Sequence, residues 1–264
     1  MRDSLSCSYQ KPFFTAVELS IGYKKKTVLD GISFDLRRGD IFAVVGHNGS
    51  GKSTLIKTIL GILPPISGET LWATNNPADK SYLGQIADFD RRFPARVIDL
   101  AIMGGWSKLG FFGRANKNLK DRAYDALVKT GIAHIAERPI HELSSGQLQR
   151  ALFARAIVQD AQCILLDEPF NAVDQATEEK LLELIIAWAN QGRVVMLVLH
   201  DLTTVLRHAN KALLVGRGKA QFGPPRRLLI PEKLVEQGYL SSNQVQFIRS
   251  LYTDEYKRKF GAYV

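Results

Sequence analysis

Ile41 to Val45, Cys163 to Leu166 and Val194 to Leu199 are apolar throughout and bounded by polar or turn residues. Runs this short read as strands buried on both faces, as in a parallel sheet covered by layers on either side. Elsewhere the pattern alternates. Val17, Leu19 and Ile21 against Glu18 and Ser20 predict a strand with one buried face, and Ile32, Phe34 and Leu36 predict another, ending at the turn Arg37 to Asp40. Gly68 to Trp72 and Ser81 to Leu83 read as further strands. Ala212 to Val215, the turn Gly216 to Lys219, and Gln221-Phe222 read as a hairpin. Helical spacing appears at Leu55, Ile56, Ile59, Leu60 and Leu63, with a stop near Pro64-Pro65, and dominates from about 87 to 159. Within that span Val97, Leu100, Ala101 and Met103 predict a short helix. Leu119, Ala123, Ala126 and Leu127 predict a second, closed by Gly131, and Leu148, Ala151, Leu152 and Ile157 a third. Leu181, Leu182, Ile185, Ile186 and Ala189 mark one face of a later helix. Residues 1–12 lack periodicity and predict a loose arm, and 228–264 a helical or mixed tail.

Composition narrows the class. A chain of 264 residues with 45% hydrophobic content supplies a globular core. No apolar run approaches the roughly 18–20 residues that cross a bilayer, and no secretory leader is expected at the start. Cys7 and Cys163 are too few for a disulfide framework and fit a reduced compartment. The formal charge of +9 favours anionic partners. The basic residues are dispersed apart from clusters such as Lys24-Lys25-Lys26, so a nucleic-acid groove is not expected.

The chemistry concentrates where the buried strands end. After Ile41–Val45 comes Gly46-His47-Asn48-Gly49-Ser50-Gly51-Lys52-Ser53-Thr54, which fits G-x-x-x-x-G-K-[ST] between a strand and a helix. Glycines let successive backbone N–H groups turn inward around phosphate oxygens, Lys52 reaches the β- and γ-phosphates, and the Ser53 hydroxyl is placed for Mg²⁺. The strand from Cys163 ends in Asp167 and Glu168. One carboxylate can support the metal while the second orients and deprotonates an attacking water. Val194 to Leu199 ends at His200, and in this kind of fold the C-terminal end of a strand faces the ligand, which predicts a donor to the γ-phosphate. Leu143-Ser144-Ser145-Gly146-Gln147 heads a helix and forms an anion-seeking end. Tyr23 either packs on its sheet or stacks on a purine. Gly104 to Arg114 is either a surface loop or a contact surface for a partner.

Taken in order, Tyr23, Gly46–Thr54, Gln85, Leu143–Gln147, Ile164–Glu168, Asp174 and His200 resemble the motif set of the ATP-binding subunits of ATP-binding-cassette (ABC) transporters, over about residues 13–223. The resemblance implies a RecA-like P-loop α/β core with an antiparallel β subdomain (13–86 and 160–225) and an inserted α-helical subdomain at 87–159, followed by an extension at 226–264. It implies ATP and Mg²⁺ as ligands. Tyr23 stacks on adenine, Gln85 couples the metal and water site to the membrane partner, and Asp167 supports the metal. Glu168 is the base, and His200 braces the γ-phosphate. Ser144 and Gly146, with Ser145, Gln147 and Asp174 beside them, belong to the nucleotide contact, Ser144 and Gly146 touching the γ-phosphate of an opposite subunit. The active unit is then a head-to-tail homodimer on the cytoplasmic membrane face. Its partners are polytopic permease subunits and an extracytoplasmic substrate-binding protein, with no nucleic acid. Ser145 stands where the family usually has glycine, and Gly84 where many relatives have proline.

Phe93-Pro94, Val97, Asp99, Met103-Gly104, Ala151 to Ala156 and Leu166 to Phe170 are similar to the subfamily serving manganese, zinc or iron importers. Siderophore, haem and cobalamin importers carry similar subunits and form the alternative. A further alternative is a non-transport ATP-gated scaffold of the same fold. DNA clamps of that type have a long coiled coil between phosphate loop and acidic strand, and the sequence between 54 and 164 has no sustained heptads. The five histidines lie apart, so no site for the transported metal is expected on this chain.

Overall fold

The computed structural model describes residues 11–23, 26–86, 89–106, 115–171 and 173–241. Most of the expected N-terminal arm, Lys24-Lys25, 107–114 of the aromatic segment and 242–264 of the tail lie outside the described residues.

The strands sort by their patterns. β3 (Ile41–Gly46), β6 (Cys163–Asp167) and β7 (Val194–Val198) are buried along their whole length and sit inside a sheet of order β5-β6-β7-β3-β8-β9. β5 (Lys80–Leu83) and β8 (Lys211–Gly216) extend it in parallel, and β9 (Lys219–Gly223) closes it antiparallel to β8. β1 (Phe14–Tyr23), β2 (Lys26–Leu36) and β4 (Ser67–Trp72) form a separate antiparallel sheet of order β2-β1-β4. Side chains alternate faces along a strand, so β3 feeds two cores. Phe42 and Val44 face the small sheet, where the Phe34 and Phe42 rings stack at 5.0 Å. Ile41, Ala43 and Val45 face the helices.

Two expectations are corrected. Val17 does not share the buried face of Leu19 and Ile21; it is exposed. The register of β1 shifts between Ala16 and Leu19, and Glu18 between them has φ 44°. A bulge of this kind resets the alternation, and Val17 emerges on the other side. The helix after the phosphate loop, α1 (Lys52–Ile59), ends well before Pro64. Gly61, at φ 77°, takes the left-handed position that ends a helix, and the N–H groups of Gly61 and Ile62 bond back to Thr58 and Lys57.

Between β5 and β6 lie α2 (Val97–Ile102), α3 (Lys117–Lys129) and α4 (Ser145–Gln159), packed around Leu100, Ala123, Leu127 and Leu152. Gly131, at φ 72°, closes α3 as its position predicts. α5 (Gln175–Asn190) follows β6, and its Trp188 stacks on Phe153 of α4 at 6.2 Å. α6 (Leu202–His208) follows β7. The short helices α7 (Pro225–Leu228) and α8 (Pro231–Glu236) follow β9. The turn after α8 is seated on the end of β8, since a Cβ at Gly216 would collide with the Gln237 carbonyl.

Candidate functional site

The loop from Gly46 to Gly51 leaves the C-terminal end of β3 and enters α1. Gly46 has no room for a side chain, because a Cβ would strike the Val215 carbonyl and the Ser50 hydroxyl. Gly49 and Gly51 hold φ values of 78° and 105°, which glycine adopts without the steric cost of a Cβ. The loop thereby folds around the Lys52 side chain. Its ammonium is buried and donates to the carbonyls of Gly46 at 2.8 Å and His47 at 3.0 Å. Burial pushes the Lys52 pKa down, opposed by the nearby charges of Glu168 and Asp167. Asn48, Gly49, Ser53 and Thr54 line a cleft of about 450 Å³ together with Lys52, Gln85 and Glu168. That size suits a nucleotide.

The acidic pair belongs to the same end of the sheet. Asp167 pairs with Val198 in register, and Val44 pairs with Val198 from the other side, so β6 and β7 end level with each other and two residues short of Gly46, where β3 ends. Asp167 is buried. Glu168 turns away at φ 52°, a left-handed conformation that a non-glycine residue adopts at a cost. Its carboxylate meets the His200 Nε2 at 2.8 Å and accepts from Asn171 Nδ2 at 2.5 Å. His200 is fixed in turn: its backbone carbonyl accepts a 2.6 Å hydrogen bond from the Tyr239 hydroxyl, and the next residue, Asp201, caps α6 through Thr203 and Thr204. The Glu168 carboxylate therefore lies beside both the His200 imidazole and the cleft that holds the Lys52 ammonium.

Other expected residues lie outside this cleft. Ser144 caps α4 in a reciprocal box with Gln147, at 3.2 and 3.0 Å, and Ser145 and Gly146 form its first turn. Asp174 caps α5 by accepting from the Thr177 N–H and hydroxyl. Tyr23 stands exposed at the end of β1. The Ser53 hydroxyl, Gln85 amide and Asp167 carboxylate supply hard oxygen donors of the type Mg²⁺ takes. Sequence reasoning assigned no part in the site to Tyr239, Arg91 or Asn171. Of these only Asn171, three residues after Glu168, carries a local signal.

A phosphate-binding loop on an inner strand of a mostly parallel sheet, with a carboxylate pair at the end of the next strand but one, defines a P-loop nucleoside triphosphatase. The ABC transporter family model matches residues 29–171. A zinc transport system ATP-binding protein of Treponema pallidum, TroB, is 39% identical over 203 residues, covering 75% of this chain and 76% of that one. A manganese transport system ATP-binding protein of Bacillus subtilis, MntB, is 37% identical over 220 residues, covering 82% and 88%. Among solved structures, a metal-chelate type ABC transporter in an inward-facing conformation superposes with a TM-score of 0.78 at 33% identity, covering 87% of this chain and 90% of that one. The chain belongs to the ABC transporter family as an ATP-binding subunit, an ATPase that works with membrane permease partners. Among the described residues no helix is long and apolar enough to cross a membrane itself.

Proposed function

We propose that this chain is the ATP-hydrolysing motor of a metal-ion importer, for manganese, zinc or iron, working as a head-to-tail homodimer on the cytoplasmic membrane face with Mg²⁺ and an extracytoplasmic binding protein. The observation that carries the reading is Glu168, which lines the Lys52 cleft while its carboxylate meets the His200 ring. The metal-transport names of TroB and MntB support the cargo. Mg²⁺, when bound, would neutralise developing charge between the outer phosphates. Lys52 and the loop N–H groups hold the triphosphate. Glu168 draws the proton from the attacking water, His200 steadies the terminal phosphate, and Gln85 relays occupancy toward the permease. Ser53 and Asp167 would hold the metal, Tyr23 stacks on the base, and Asp174 and the Ser144–Gln147 turn meet the second copy. The division at 13–225, with a helical insert at 87–159 and an extension from 226, follows the same reading.

The insert carries a candidate permease dock. Arg96, Ile98, Ile102, Met103 and Trp106 line an open cleft of about 580 Å³, with Trp106 56% exposed. An affinity-tagged chain is expected to bring a polytopic protein out of detergent-solubilised native membranes. Trp106→Ala should cut that recovery severalfold without altering ATP binding. Nucleic acid in the eluate in place of a membrane protein would overturn the transport reading.

Tyr239 ties part of the extension to the site, because its hydroxyl holds the backbone on which His200 stands. Tyr239→Phe keeps the packing and removes one hydrogen bond, worth about 0.5–1.5 kcal/mol. Turnover should fall by about 2- to 10-fold with KM for ATP unchanged, measured by steady-state phosphate release.

A further inference from the structure

Arg91 connects two regions that sequence treats as separate. It lies six residues after Gln85. From there the chain runs antiparallel to the stretch leading into α4. Val97 N–H bonds to Arg138, Arg96 bridges Pro139, and the Ile140 N–H bonds to Ala95. At the end of this strap the Arg91 guanidinium grips both sides of Ser144. Nη1 donates to the Leu143 carbonyl at 3.0 Å, and Nη2 to the Ser145 hydroxyl at 2.9 Å. The positive end of a helix repels a cation, so these two acceptors are what keep it there. Glycine at position 145 would remove one of them.

We propose that Arg91 and Ser145 form a clamp that sets the signature turn for the partner's nucleotide and ties its position to the Gln85 segment. Both act as positioning residues. Ser145 is then the acceptor this chain requires, and the glycine usual in the family would weaken the dimer here. The inference rests on the head-to-tail reading above. Its two bonded acceptors flank Ser144, the residue that reading places on the opposite γ-phosphate. The clamp lies outside the chain's own ATP cleft, which separates its effect from a general loss of nucleotide binding.

The test uses Glu168→Gln protein, with ATP-dependent dimerisation followed by size exclusion with light scattering and monomer ATP affinity measured in parallel. Ser145→Gly, which removes one hydrogen bond, is expected to raise the ATP concentration needed for dimerisation by about 3- to 10-fold, and Arg91→Met, which removes two, by at least as much. Monomer affinity should stay unchanged. The double variant should be no worse than Arg91→Met alone, since the partners act through one interaction. Ser145→Thr, which keeps the hydroxyl, should match the parent, and Ser145→Ala should match the glycine variant. Independent, additive effects, or a Ser145→Gly protein that dimerises as well as or better than its parent, would overturn the clamp. A parent that binds ATP and stays monomeric would instead overturn the head-to-tail reading, and the clamp with it.

Discussion

Glu168→Gln is expected to lower ATP turnover by about 10²- to 10⁴-fold, the usual range for removing a general base, while leaving ATP binding intact. The amide has the shape of the carboxylate and can still accept from Asn171, which lies at 2.5 Å, but it takes no proton from water. Lys52, the loop glycines and Ser53 are untouched by the change. The protein should therefore accumulate as an ATP-bound dimer that appears only with ATP and Mg²⁺ and falls apart with ADP. Size exclusion and single-turnover hydrolysis read the two halves of the expectation separately. Persistent fast hydrolysis would remove Glu168 from the role of base. Tightly bound ATP on a monomer would remove the second copy from the site.

Lys52→Met is the second large effect, and it should fall on binding. The ammonium is the cation enclosed by the loop, and hydrogen bonds to charged groups contribute about 1.5–3 kcal/mol. ATP affinity should drop by about 10- to 100-fold, measured by titration with a fluorescent analogue. The loss should exceed that from an exposed lysine, because Glu168 and Asp167 then face the phosphates without it. The fold should survive. Methionine keeps most of the stem, and the charge it replaces is held below the ordinary lysine value of 10.5 by burial. The sign of the pH dependence follows. Between the folded-state pKa and 10.5 the unfolded chain binds more protons than the folded one, so stability rises with pH through that window. Burial raises the Cys163 and Tyr239 pKa values and opposes this rise, so the Lys52 contribution is read as a difference: the denaturant midpoint of the parent relative to that of Lys52→Met should climb as pH rises through the window.

Much of this architecture was legible because its signals are local. A buried parallel strand writes itself as an apolar run, and the phosphate loop, the acidic pair and His200 each follow one directly. The misplaced details came from backbone geometry that residue type barely marks. Glu18 carries no sign that it bulges, so Val17 looked like a core position. Gly61 did carry a sign, but the conspicuous Pro64-Pro65 drew the boundary past it. Arg91 and Tyr239 were invisible for a different reason. Each bonds a group at least 39 positions away, partly through backbone carbonyls, which every residue has. The meaning of Ser145 depended on Arg91 and came into view only with it.

The way α4 is fastened has a mechanical consequence. Near its C-terminal end Arg155 bonds to the Tyr82 carbonyl and Gln159 to the Lys80 carbonyl, both on β5. Its other end, at Ser144, carries the signature. Fifteen helical residues span about 22 Å, and the Ser144 end is held separately by Arg91 and by Gln149, which bonds the Pro169 carbonyl, so a tilt about β5 must carry those contacts with it or break them. A swing of about 10° at the pivot displaces the Ser144 end by about 4 Å for an arm of that length. A modest tilt at the sheet edge is thus enough to carry the Ser144 turn out of hydrogen-bonding reach of a group placed against it.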